Sequence, residues 1–171
     1  MAQSTTTPSE PVHPQTRIGH IHLTVTDLDR SLAFYRDLLG FEETMRYKDS
    51  AVFLSAGGYH HHLALNTWAG PDASPPPPGH TGLYHFAILY PSRRELARAV
   101  KALRQADYPL QSTSDHGVSE SVYLADPDGN GVELSVDRPP ETWSRDTQGN
   151  IQAGRGKVDL DELLAELEER A

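Results

Sequence analysis

The chain contains no cysteine. That excludes disulfides, thiolate metal sites and a cysteine nucleophile. No apolar run approaches the roughly 18 residues of a membrane-spanning helix. The N-terminal stretch is rich in Ser, Thr, Pro and Gln and has no apolar core of a signal peptide, so the expected compartment is the cytoplasm. Basic residues are few, 15 against 24 acidic, for a net charge of −9, and they form no stripe. Nucleic acid is therefore not an expected partner, because phosphate binding needs clustered Lys and Arg. Also missing are a G-x-S-x-G elbow, a P-loop and a Rossmann glycine pattern.

Histidine, by contrast, is abundant. Nine occur, grouped as His20/His22, His60–His62 and His80/His85, with His116 alone and His13 near the start. Residues 1–16 read as a disordered tail. After it Ile21, Leu23 and Val25 alternate with His20, His22 and Thr24, the period of a strand. Asp27 then precedes a helical stripe of Leu28, Leu32, Tyr35, Leu38 and Leu39, which Gly40 stops. Strands are expected over 41–47, 51–55 and 59–67. A linker at 69–79 carries four consecutive prolines and reads as stiff and extended.

The order then repeats. Residues 84–90 read as a strand, and Ser92 with Glu95 forms a capping box. Leu96, Val100 and Leu103 supply the helix stripe. Strands follow near 110–112, 121–125 and 131–136, the last two joined by a D-P-D-G-N-G turn. Strand, helix, strands thus occur twice, an internal duplication. The fold class expected is α+β: two βαβββ modules, 17–68 and 80–137, forming facing mixed sheets around a metal cleft in one domain at 17–137. A polar tail, 138–171, ends in a short helix at 159–170 with Leu160, Leu163, Leu164 and Leu167 on one face. A helix this short is marginal alone, so it should pack on the domain or on another subunit, and a homodimer is expected. Arg93-Arg94 reads as a solvated helix start, and Trp68 and Trp143 as core in preference to lining the cleft.

Alternation also places candidate ligands. His20 lies opposite Ile21, Leu23 and Val25; His85 lies opposite Tyr84, Phe86 and Ile88; Glu133 lies opposite Val132, Leu134 and Val136. Two imidazoles and one carboxylate aimed at one cavity make the donor set of a facial triad with open positions. That set suits Fe(II), and equally Mn(II), Zn or Ni.

H20-I-H-L-T-V-T-D-L followed by F-Y-x-x-L-L-G-F resembles the opening module of the vicinal-oxygen-chelate superfamily, which includes glyoxalase I, fosfomycin-resistance thiol transferases, bleomycin-binding proteins and extradiol dioxygenases. The resemblance covers about residues 17–137 and implies that His20, His85 and Glu133 are the metal ligands. His116-G-V-S-E-S-V-Tyr123-L-A-Asp126-Pro127-D-Gly129-N-G-V-Glu133 is similar to the extradiol signature. The turn is widely shared, so the weight rests on His116 and Tyr123. The segment Y-H60-H61-H62-L-A-L-N-T-W looks like the strand that supplies a further histidine; pattern matching prefers His61, and His62 stays open.

What the resemblance implies is a ring-cleaving dioxygenase acting on a small aromatic diol with O₂, using Fe(II) or, in its place, Mn(II) or another divalent metal. His61, His116 and Tyr123 would serve as proton-transfer and hydrogen-bonding groups. Many extradiol enzymes carry four modules where this sequence has two. The rivals are a glyoxalase-type isomerase or thiol transferase and a non-catalytic binding module. The former often takes a fourth, carboxylate ligand from the first module's last strand, which here offers histidine and no Asp or Glu.

Overall fold

Leu23 and Val25 are buried while His22 and Thr24 are exposed, and this alternation makes β1 (Ile21–Thr24) in the computed structural model, which describes residues 10–168. Part of the expected N-terminal tail, 1–9, lies outside the described residues. Asp27 caps α1 (Leu28–Leu32) by accepting from the Arg30 amide. The helix then widens into a π-helical turn over Ala33–Leu38, with Leu39 N–H reaching back to the Phe34 carbonyl at 2.9 Å. The widened turn rotates the stripe. Tyr35 is buried as its place in the stripe suggests, but Phe34 is buried as well and Leu38 and Leu39 are only half-buried, a shift the helical period did not foretell. Gly40, at φ +85°, ends the helix as its position suggests.

Three strands complete the first module: β2 (Glu42–Tyr47), β3 (Ala51–Ser55) and β4 (Leu63–Asn66). The second module repeats the order with β5 (Phe86–Tyr90), α2 (Arg93–Gln105), β6 (Ser112–Asp115), β7 (Ser119–Ala125) and β8 (Gly131–Asp137). Each module forms a mixed four-stranded sheet, ordered β1-β4-β3-β2 and β5-β8-β7-β6. The first and last strands of each module pair parallel; the other neighbours are antiparallel. The chain is therefore α+β with two βαβββ modules. The strand expected over 59–67 starts later, at Leu63, and the one near 110–112 begins at Ser112.

One core serves both modules. Leu32, Tyr35, Leu54 and Leu65 join Leu96, Val100, Leu103 and Leu134 in a single buried cluster. Each such side chain contributes on the order of 1.5–3 kcal/mol by leaving water. Phe34 packs on Tyr108 across the module boundary at 4.8 Å between ring centroids. The D-P-D-G-N-G turn latches the same boundary: Tyr35 donates to Asp126 Oδ2 (2.8 Å), and Thr26 and Arg30 donate to Asp128 Oδ1 (both 2.6 Å).

Three expectations are corrected. The C-terminal helix is α3 (Leu160–Ala165), shorter than 159–170; residues 166–168 form a turn and 169–170 lie outside the described residues. It packs on α2 of its own chain, with Leu163 fully buried, so it supplies no reason for a dimer. Arg93 is not a solvated helix start. It binds Glu120 at 2.8 Å, Glu166 at 2.7 Å and Glu162 at 3.3 Å, fastening α3 to the second sheet. Neither tryptophan is core. Trp68 is exposed and edge-on to His22, and Trp143 is half-buried, donating to the Arg138 carbonyl. Among the described residues no helix is long and apolar enough to cross a membrane.

Candidate metal centre

Each candidate histidine stands immediately before the first strand of its module, His20 before β1 and His85 before β5. Parallel pairing sets Phe86 beside Val132 and Ala87 beside Glu133, which brings His85 close to the start of β8. That approach needs glycine at 131. A Cβ there would sit 2.3 Å from the Tyr84 carbonyl oxygen and 3.0 Å from His85 Cβ. With Gly131 in place, His85 Nε2 comes within 2.9 Å of Glu133 Oε2. Ser121 donates to the other carboxylate oxygen, Oε1. The carboxylate is thereby fixed, with one oxygen turned to the imidazole.

Tyr123 lies directly across the β7–β8 ladder from Glu133. Its ring is 5.5 Å from that of His85, and its hydroxyl is 2.9 Å from His116 Nε2. Burial, then the neighbouring Glu133 charge, push the phenol above its ordinary range, with a hydrogen bond from Ser121 opposing them. Tyr123 therefore holds its proton and is a donor at neutral pH. A cavity of about 370 Å³ opens beside the group, lined by Tyr84, His85, Gln111, Ser112, Ser114 and Tyr123 among others.

The first module assembles separately. His20 packs against His61, ring centroids 4.4 Å apart, and His61 Nδ1 is 2.8 Å from His60 Nδ1. Burial, and then the adjacent imidazoles, lower the His61 pKa, so the ring is neutral near pH 7. His62 Nδ1 accepts from the Ala56 amide and meets Ser55 Oγ, and its side chain joins His20 along a cavity of about 330 Å³ between the starts of β1 and β5. All three of His60–His62 precede β4.

The six candidates therefore form two groups: His85, Glu133, Tyr123 and His116 in the second module, and His20 with His61 in the first. Among the described residues no three His, Asp or Glu side chains converge as a metal-holding group. The donor chemistry nonetheless fits a divalent metal. His85 and Glu133 are already side by side. The third donor, His20, stands apart from them. Ser121 and Gly131 were missed by sequence reasoning. Ser121 was within reach, because period two puts it on the face of Tyr123. Gly131 was not, because its role is a close approach of two strands.

A sequence model of the glyoxalase/bleomycin resistance protein/dioxygenase superfamily matches residues 17–134. The chain is 42% identical over 156 residues to a catechol-2,3-dioxygenase of Bacillus subtilis (strain 168), covering 91% of this chain and 53% of that protein. It is 33% identical over 122 residues to biphenyl-2,3-diol 1,2-dioxygenase 3 of Rhodococcus globerulus, covering 71% and 63%. The chain thus spans little more than half the length of these relatives. Among solved structures, a glyoxalase/dioxygenase from Nostoc punctiforme aligns with a TM-score of 0.62 at 23% identity, over 78% of this chain and all of that one, a likeness of fold. A lactoylglutathione lyase from Agrobacterium tumefaciens aligns with a TM-score of 0.56 at 29% identity, over 72% and 96%.

Proposed function

Since the chain belongs to the glyoxalase/bleomycin resistance protein/dioxygenase superfamily, we propose that it is a metal-dependent extradiol dioxygenase, opening the ring of a catechol-like substrate with O₂ beside one hydroxyl. The observation that carries this reading is the His116–Tyr123 pair set against His85 and Glu133: a proton-holding phenol, backed by an imidazole, next to two metal donors. The similarity to a catechol-2,3-dioxygenase supports the same substrate class.

Fe(II) is the metal proposed, with Mn(II) or another divalent ion as substitute, held by His85, Glu133 and His20. When bound it supplies a centre on which both diol oxygens and O₂ can be brought together. The chain's own residues do the rest. Ser121 keeps Glu133 oriented. Tyr123 donates a hydrogen bond to an anionic oxygen of the substrate, and His116 steadies the phenol through Nε2. His61, neutral near pH 7, is the candidate to take a phenolic proton and return it. A homodimer is part of the proposal, because a second copy can bring its His20 to the His85–Glu133 pair that lacks one.

The glyoxalase-type alternative is less well supported. β4 reads Leu-Ala-Leu-Asn and offers no carboxylate as a fourth ligand. The linings of the two cavities contain no Lys or Arg to receive the carboxylates of a glutathione adduct.

The test is oxygen uptake, with formation of a yellow ring-opened product, by anaerobically purified, iron-loaded protein given catechol and alkylcatechols. Tyr123→Phe should keep its metal and lose roughly 10- to 1000-fold in rate. Absence of uptake with every catechol, together with isomerisation of a glutathione hemithioacetal, would transfer the assignment to the glyoxalase reading.

A further inference from the structure

His116 sits on the turn between β6 and β7, a place where a side chain would ordinarily wander. Its backbone is held from two directions. Its N–H donates to the Ser119 carbonyl at 2.9 Å, and its own carbonyl accepts from the Gly154 N–H at 2.5 Å. The second contact comes from far along the chain. Residues 154–158 run antiparallel beside β6, with Asp115 and Gly156 exchanging two backbone hydrogen bonds, 3.1 and 2.9 Å, and Thr113 Oγ1 donating to the Val158 carbonyl at 2.9 Å. Val158 is buried, and α3 follows at once, anchored by Leu163 in the core and by Glu166 on Arg93.

The crossing is tight for any side chain. A Cβ on Gly154 would lie 3.1 Å from the Gly117 nitrogen and from the His116 carbonyl carbon, and 3.3 Å from the His116 oxygen. Those neighbours are backbone, so they can yield only by moving the turn that carries the imidazole.

We propose that residues 154–158 are a strap that sets the position of His116 against Tyr123, with Gly154 as a positioning residue and α3 as the strap's anchor. The inference rests on the dioxygenase reading only where activity is measured. The strap fixes the backbone on which the His116 ring is hung, and so the 2.9 Å contact from Nε2 to the Tyr123 hydroxyl. Gly154 has no left-handed backbone angle to preserve, so alanine there tests the contact rather than the conformation.

The experiment compares wild type, Gly154→Ala and Leu163→Ala, the last unseating the anchor without touching the turn. In protein labelled with ¹⁵N-histidine, both substitutions should displace the His116 ring-nitrogen resonances and leave those of His85 in place. In iron-loaded protein kcat for catechol should fall roughly 3- to 10-fold, less than the effect of a misplacement of about 1 Å because the turn yields by only tenths of an ångström, with KM and bound metal within twofold of wild type. Gly154→Ala should remain folded at the assay temperature. A merely structural strap would lower thermal stability in both variants while leaving the His116 resonances and kcat unchanged, and that result overturns the proposal. If the wild type cleaves no catechol yet both variants displace the His116 resonances, the strap stands and the dioxygenase reading falls.

Discussion

Ser121 shows how much a single hydroxyl decides. It holds one oxygen of Glu133 and leaves the other to His85. Groups that orient a ligand commonly govern metal affinity by 10- to 100-fold. Ser121→Ala is expected to weaken metal binding by about that factor, and Glu133→Ala to abolish most of it, both with the fold retained. Isothermal titration of the apoprotein with Mn(II), a redox-inert probe, measures this. Unchanged affinity in Glu133→Ala would remove Glu133 from the ligand set. The choice between His61 and His62 is also made at this scale. His61 packs on His20, whereas His62 is tied by its Nδ1 to Ala56 and Ser55 along the neighbouring cavity. Exchanging each for alanine in turn separates a proton-transfer role from a lining role.

At the scale of elements, the edge of the second sheet is tied down through Asp115. The Gly117 amide, and then the Arg138 guanidinium, hold the Asp115 carboxyl below its usual range. A depressed acid stabilises the fold fully above its unfolded pKa, and that contribution is lost as pH falls through the folded pKa. Asp115 thus favours the folded state at neutral pH and ceases to do so in acid. Arg138→Ala raises the folded pKa toward the ordinary value, so acid unfolding followed by circular dichroism should begin at a higher pH than in wild type. An acid midpoint that does not move would refute the role given to this pair. Much at this scale was legible beforehand. The caps at Asp27 and Ser92, the stop at Gly40 and the β7–β8 hairpin through D-P-D-G-N-G are local, and local backbone chemistry writes them into the chain. The π-helical turn at 33–38 was not legible; it accompanies a contact of Phe34 with Tyr108 of the other module, a partner distant in sequence.

For the whole molecule, the three proposed ligands do not meet within one chain among the described residues. His85 and Glu133 touch within one chain, and His20 stands elsewhere. If a second copy completes the set, neither His20→Ala nor Glu133→Ala should bind metal well alone. Mixed and refolded together, they should form heterodimers with one intact site, because the first variant still carries His85 and Glu133 and the second still carries His20. Purified heterodimer should then hold about one metal per two chains, with a dimer mass by light scattering. Failure to recover metal on mixing, or a monomer throughout, would place all three ligands in one chain and demand a shift of the modules.

Sequence alone determined the repeated βαβββ order, the faces of the strands and the residue types offered to a metal. Strand alternation, capping and turn chemistry act over a few neighbours and need no knowledge of the rest of the fold. It also put Tyr123 and Glu133 on neighbouring strands of one hairpin; the register that sets them directly opposite is seen in the structure. Only the tertiary structure decided which candidates meet. The separation of His20 from His85, the docking of α3 on α2 and the crossing of Gly154 over His116 depend on how elements distant in sequence pack. That packing is the sum of many weak contacts in a shared core, and no short stretch of sequence contains it.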